Sequence, residues 1–249
     1  MAKWSLKTDI GVVRSQNQDN GTVLQNDEGV ILAIICDGMG GHTGGEHASE
    51  ITIKTFKKTF ANDFPPLEEP KKIMKWFYNS LKLTKKEMKD FAGDDPGLLD
   101  MGTTVSAAII YPTKIYVYNV GDSRTYAFTE VLSQITVDHN IRNYYINEYG
   151  YSDEEAATVM GAAALTSALG PKKKTTLEEF IVPRKGFIKY IVLTTDGIHD
   201  YIEKHKFESV LSKGNDLDDI GNNLIKTSIK GKSSDNLTVI LVDLKDGET

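Results

Sequence analysis

The sequence predicts an α+β protein built as a four-layer α/β/β/α sandwich, two mainly antiparallel β-sheets each covered on its outer face by a helical hairpin. Three observations predict it. Short β-branched runs recur along the chain, two pairs of amphipathic stretches are separated by a block of such runs, and no Pro-, Gly- or Ser-rich linker divides them. A sheet buries a face and a helix buries a stripe, so strands flanked by two helical pairs pack most simply as two sheets back to back with the helices outside. A chain of 249 residues can enclose an ample core, and residues 1–249 read as a single domain.

Residues 4–13 and 21–25 read as strands around a loop, Arg14-Ser15-Gln16-Asn17-Gln18-Asp19-Asn20, that is too polar and turn-rich for a core. The apolar run from Val30 to Cys36 is a buried strand that stops abruptly at Asp37-Gly38-Met39-Gly40-Gly41-His42. Ala48, Ile51, Ile53, Phe56 and Phe60 then recur at helical spacing, giving a helix over 45–61. Pro65-Pro66 ends it, and a second helix over 68–92 carries Ile73, Phe77, Leu81, Met88 and Phe91 along one face, so the two form a hairpin. Strands return at 103–111, 114–120 and 124–128.

Residues 139–169 are the least regular stretch. Positions 140–150 are polar and tyrosine-rich, after which Ser152 and Glu155 form a capping box that starts a helix running to about Ala163. The segment reads as an excursion from the core. Strands over 177–182 and 188–195 follow, then a short helix over 203–213. A further helix over 216–230 has Asp216 as N-cap, Leu217, Ile220, Leu224 and Ile225 inside, and Gly231 as its stop. A strand over 237–244 closes the second half.

Hydrophobic residues make up 40% and charged residues 26% of the chain, the balance of an ordinary globular protein. A net charge of -6 argues against nucleic acid, which is bound chiefly through clustered Lys and Arg. The single cysteine, Cys36, lies inside an apolar strand, as expected of an inert thiol in a reducing compartment. No run of about 18 apolar residues and no leader-like segment is visible, so no membrane span and a cytoplasmic location are expected.

Four aspartates, Asp37, Asp122, Asp196 and Asp235, abut strand-like runs. One Asp-Gly after a strand is ordinarily a hairpin turn, because Gly takes positive φ cheaply. Several carboxylates from separate strand ends, with a carbonyl beside a glycine, instead make the all-oxygen environment that Mg²⁺ or Mn²⁺ prefers. Two such ions about 3.5–4 Å apart lower the pKa of a shared water and suit phosphoryl transfer. The five histidines show no zinc-ligand spacing beyond the pair His42 and His47. Arg14 is either a solvated surface arginine or a bidentate fork for phosphate. Arg124 reads as an internal ion pair holding the turn at Asp122-Ser123.

The segments Thr8 to Asn20, Cys36 to His42, Met101-Gly102-Thr103-Thr104, Val120-Gly121-Asp122-Ser123-Arg124, Leu193 to Asp200 and Asp235-Asn236-Leu237-Thr238-Val239 resemble, in order, the successive motifs of the metal-dependent serine/threonine protein phosphatases of type 2C (the PPM family), in the bacterial style. The resemblance spans nearly the whole chain and implies the same sandwich, with two ions, Mn²⁺ or Mg²⁺, between the sheets. It implies that Asp37 bridges the ions, Gly38 offers its carbonyl, Asp196 and Asp235 complete the ligation, and Asp19 acts through a water. Arg14 would hold the substrate phosphate, and Asp122 with Asp196 matches the position of a third ion. The implied reaction is attack of a metal-bridging water on phosphoserine or phosphothreonine of proteins, with no phosphoenzyme. The implied setting is a monomer that opposes a serine/threonine kinase.

Met39 follows Asp-Gly where animal members of the family carry a histidine proposed as general acid, so the leaving group would take its proton from metal-bound water or His42. Residues 139–169 match the family's flap only at its edges, with Ser167 where arginine is common. Two alternatives share the scaffold: an inactive phosphoprotein-binding regulator, and a phosphatase dedicated to one regulatory protein.

Overall fold

The computed structural model describes residues 3–40, 44–214 and 216–244. The first half contains β1 (Trp4–Asp9), β2 (Asn20–Gln25), β3 (Ile31–Cys36), β4 (Gly38–Met39), α1 (Gly44–Asp63), α2 (Pro70–Ala92), α3 (Pro96–Leu99), β5 (Gly102–Thr103) and β6 (Val105–Ile110). The second half adds β7 (Lys114–Val120), β8 (Arg124–Phe128), β9 (Leu132–Gln134), α4 (Ile141–Tyr149), α5 (Asp153–Ala157), β10 (Glu178–Pro183), β11 (Tyr190–Thr194), α6 (Asp196–His199), α7 (Lys204–Lys213), α8 (Leu217–Lys230) and β12 (Leu237–Asp243).

These elements form the expected sandwich. One sheet runs β1-β12-β11-β8-β9 and the other β10-β7-β6-β3-β2, and every strand pair in both is antiparallel. Period-two alternation sends each central strand's side chains to two different cores. In β3, Leu32, Ile34 and Cys36 face the α1–α2 hairpin, while Ile31, Ala33 and Ile35 face the opposite sheet. In β12, Val239 and Leu241 face the α7–α8 side, and Ile240 and Val242 face inward. Strands buried on both faces read as unbroken apolar runs, which is why β3 and β12 stand out in the sequence.

Where boundaries differ from expectation, local chemistry accounts for it. The first strand stops at Asp9 because Gly11 takes φ +80° and donates its N–H to Asp9 Oδ1 at 2.8 Å, an Asx turn. The stretch expected to be irregular holds α4, capped by Asn140 accepting from the Asn143 N–H and stopped by Gly150 in the left-handed region. The capping box at Ser152 and Glu155 forms, but its helix ends at Ala157. Phe91, expected on the buried face of α2, is half exposed and packs on His47, ring centroids 4.7 Å apart.

Aromatic packing fixes the α1–α2 hairpin to its sheet. Phe77 is fully buried, stacked on Tyr118 with centroids 4.2 Å apart and tilted against Phe56 at 4.9 Å. Trp76 Nε1 donates to the Thr59 carbonyl at 3.2 Å, tying α2 to α1. Replacing Phe77 with alanine should cost about 3–5 kcal/mol, the range for truncating a buried aromatic. The check is the urea midpoint of Phe77→Ala, with an unchanged m-value marking lost packing and not a changed unfolded state.

Candidate active site

The aspartates meet at one end of the seam between the sheets because strands of both sheets stop there. Asp37 follows β3 and is clamped through its backbone: its N–H donates to Thr104 Oγ1 at 2.9 Å, and its carbonyl accepts from the Thr104 N–H and the Thr103 hydroxyl, both at 2.9 Å. Asp196 opens α6 directly after β11, and Asp235 precedes β12, bonding the Asn236 N–H through Oδ1 at 2.8 Å. Asp122 sits in the β7–β8 turn, which Gly121 makes at φ +104°. Arg14, Asp37, Gly38, Asp122, Asp196 and Asp235 line one cleft of about 340 Å³.

Neither Asp37-Gly38 nor Asp196-Gly197 is a hairpin turn. Gly38 pairs with Thr103 in a two-stranded ribbon and donates its N–H to the Gln18 carbonyl at 3.1 Å. A Cβ there would stand 2.2 Å from the Gly45 carbonyl oxygen, and one on Gly197 would stand 1.9 Å from that of Asn236. The glycines permit close backbone approach at strand ends, not a positive φ.

Burial and mutual repulsion dominate the electrostatics. Asp19 lies behind the cleft, buried, and accepts from the Thr195 hydroxyl at 2.8 Å, whose oxygen in turn accepts from the Thr238 N–H at 3.0 Å. Desolvation first, then the charges of Asp196 and Asp235, push its pKa up to about 7 against the lowering effect of the Thr195 and Thr238 hydroxyls. Asp122 is pushed up to about 7 by burial and by Asp196 and Asp138. Asp196 is raised to about 6 by burial and Asp235. Asp37 is held well above the carboxylate range by burial and by Asp19, Asp196, Asp122 and Asp235.

Among the described residues no three His, Cys, Asp or Glu side chains are already disposed as ligands about one point; the carboxylates frame the cleft. Asp196 Oδ1 is nonetheless buried with no hydrogen-bond partner among the described residues, and an unpaired buried carboxylate oxygen is costly. A hard divalent cation fits this oxygen-only set, since it would relieve both the repulsion and the orphaned oxygen.

Arg14 projects over the cleft from the loop after β1. Its Nη2 pairs with Asp235 Oδ2 at 2.6 Å, its Nε donates to the Ser234 carbonyl at 3.3 Å, and half its side chain is exposed. The loop owes its shape to Asn236, whose side chain donates to the Ile10 and Gln16 carbonyls, both at 2.9 Å, and accepts from the Gln18 N–H at 2.9 Å. Arg124 forms an internal ion pair, but its partner is Asp138, with Nε at 2.9 Å and Nη2 at 2.6 Å. Gln18, Met39, Thr104 and Leu165 also line the cleft. The first three lie inside the motif segments, where only Met39 draws notice, as the residue standing where animal members carry a histidine, and Leu165 arrives through the long-range bridge to Asn140. His42 lies outside the described residues.

The protein phosphatase 2C family model matches residues 12–227. The chain is similar to the serine/threonine phosphatase stp of Listeria monocytogenes, 30% identical over 238 residues that cover 95% of this chain and 94% of the relative. It superposes on the crystal structure of the serine/threonine phosphatase Stp1 from Staphylococcus aureus with a TM-score of 0.88 and 30% identity, covering 99% of this chain and 96% of that one. The catalytic domain of PstP, solved in complex with two manganese ions, shares the fold with a TM-score of 0.81 at 23% identity, over 98% of this chain and 99% of that one. Matched by the family model over most of its length, and by such relatives along nearly all of it, this chain belongs to the protein phosphatase 2C family.

Proposed function

We propose that the cleft hydrolyses phosphoserine and phosphothreonine in proteins with two divalent cations, Mn²⁺ or Mg²⁺, held by Asp37, the Gly38 carbonyl, Asp196 and Asp235, with room for a third beside Asp122 and Asp196. The chain is a serine/threonine protein phosphatase by family; the assignment of roles is the proposal. One observation carries it. Carboxylates from both sheets converge on one cleft with raised proton affinities and an orphaned oxygen on Asp196, which is electrostatic strain that cations relieve. When bound, such ions supply a water of lowered pKa and positive charge opposite the phosphoryl oxygens.

The chain's own groups do the rest. The Asp37 backbone is held through both its N–H and its carbonyl by Thr103 and Thr104, which fixes where its side chain departs from the chain. Asp19, with the Thr195 hydroxyl on its Oδ2, stands behind the ligands, where it would orient a water bound there. Arg14 Nη2 pairs with Asp235 Oδ2 and is half exposed at the cleft mouth; with Asp235 committed to a cation, the guanidinium would be free to offer its planar fork to the phosphate. Residues 1–249 act as one catalytic domain whose excursion at 139–169 flanks the cleft. Among the described residues no helix is long and apolar enough to cross a membrane. A cytoplasmic monomer that opposes a serine/threonine kinase is part of the same proposal.

Hydrolysis of a phosphothreonine peptide should require added Mn²⁺, stop with EDTA, and fall by at least about 10²-fold in Asp196→Asn. Arg14→Lys should raise KM more than it lowers kcat, because one ammonium replaces a two-pronged contact. A second test needs no turnover. In protein stripped of cations, Asp19 and Asp122 keep protons to about pH 7 and Asp196 to about 6, whereas unfolded carboxyls lose theirs near 4. The folded state therefore binds more protons across about pH 4–7, and stability falls as pH rises through that window. The melting temperature should drop from pH 5 to pH 8, recover most on adding Mn²⁺ at pH 8, and show a shallower drop in Asp37→Asn.

A further inference from the structure

Beside the cleft lies a larger cavity of about 590 Å³, floored by β8 and the end of α6 and walled by α4 and α5. Asp122 lines both spaces, so a polypeptide whose phosphorylated residue enters the cleft passes the cavity with a neighbouring side chain.

The charge of this cavity is lopsided. Asp122, Asp138, Asp153 and Asp200 face Arg124 and Arg142, and both guanidiniums are already committed. Arg124 is bidentate on Asp138, and Arg142 Nη2 pairs with Asp153. The Nε of Arg142 has no partner but is sealed from solvent, so it offers nothing to an entering anion. Asp200 is the most loosely held of the cavity's paired carboxylates: its side chain is 57% exposed and its Oδ1 reaches Arg124 Nη2 only through a long ion pair of 3.9 Å, beyond hydrogen-bond reach.

A second feature points to a ligand. His199 lines the same cavity with its side chain only 2% exposed. Its Nδ1 meets the Thr194 hydroxyl at 2.8 Å, while its Nε2 has no hydrogen-bond partner among the described residues and lies 3.8 Å from Asp200 Oδ1. Burial holds the ring neutral, so it adds no positive charge. Ala157, Ala162 and Ala163 supply a small apolar wall. A carboxylate end with an apolar wall suits a long side chain whose methylene stem packs while its charged head is paired.

We infer that this cavity is a specificity subsite for a lysine or arginine side chain close in sequence to the phosphorylated residue, with Asp200 as its charge partner. The inference rests on the phosphatase reading above and names which substrates that reaction prefers. Asp200 positions the substrate and takes no part in the chemistry.

The test is kcat/KM for phosphothreonine peptides in which a single lysine is walked along either side of the phosphorylated residue, each compared with norleucine and glutamate at the same place. One position should favour lysine over norleucine by about tenfold, expressed in KM. High salt should erase the preference. Asp200→Asn should remove it while para-nitrophenyl phosphate, which has no flanking residue, is hydrolysed within about twofold of the parent rate. Asp200→Lys should transfer the preference to glutamate. Equal rates for all three residues, or a preference for glutamate in the parent protein, in an enzyme that turns the peptides over, would overturn the subsite and leave the phosphatase reading standing. Absence of turnover of every peptide and of the aryl phosphate in metal-loaded protein overturns the phosphatase reading, and the subsite with it.

Discussion

Like charges gathered in a buried seam are the constraint around which the molecule is arranged. Four carboxylates, Asp19, Asp37, Asp122 and Asp196, are withdrawn from water, and burial does more than any neighbouring charge to raise the proton affinity of each. Such groups stay together only if the backbone leaves them no freedom to separate. Threonine and serine hydroxyls supply that restraint without adding charge. Thr104 Oγ1 bonds the Asp37 N–H and meets the Ser123 hydroxyl at 2.6 Å beside Asp122, while Thr195 joins Asp19 to β12. Glycine at 38 lets the backbone of Gly45 and Gln18 close on the end of β3, and glycine at 197 lets that of Asn236 close on the start of α6. The two sheets press Ile31, Ala33 and Ile35 against Ile240 and Val242, so separating the carboxylates would mean opening the central core.

Legibility follows burial. The central strands and the long helices can be read because residues buried on one or both faces impose an apolar pattern, and α2, α8, β3 and β12 lie close to their expected limits. α4 has no fully buried residue, so periodicity has nothing to report, and only Asn140 and Gly150 mark its ends. β9 is three residues with one buried position, Leu132, too short for alternation to register. At the site, the aspartates and Arg14 are visible as motif residues, and the fold places them on one cleft. The roles of Gly38 and Gly197 do not follow from either dipeptide alone, since sequence records a glycine but not whether φ or close contact demands it. The partner of Arg124 is hidden for another reason. Asp138 is fourteen residues away, and only the pairing of β8 with β9 brings it near.

Chemistry and recognition are thereby carried by different parts of the chain. Groups assigned to the reaction sit at the ends of strands buried on both faces, and their side chains are shielded by the seam. Groups facing an incoming polypeptide, Arg14, Arg142, Asp153 and Asp200, have side chains 51%, 41%, 70% and 57% exposed and stand on loops or short helices. α4 and α5 hang from the core by the bridge between Asn140 and Leu165 and by the Arg142 N–H bonded to the Ala162 carbonyl. A substitution at Arg142 or Asp153 changes the charge beside the cleft without removing a contact from the carboxylate cluster, whereas one at Thr104 or Thr195 removes a bond that holds the cluster and one at Arg14 removes the ion pair to Asp235. The division is not complete, because Arg14 pairs with Asp235 and Asp122 lines both spaces, but among the described residues the exposed ones of α4 and α5 share no bond with the buried carboxylates and can change without disturbing them.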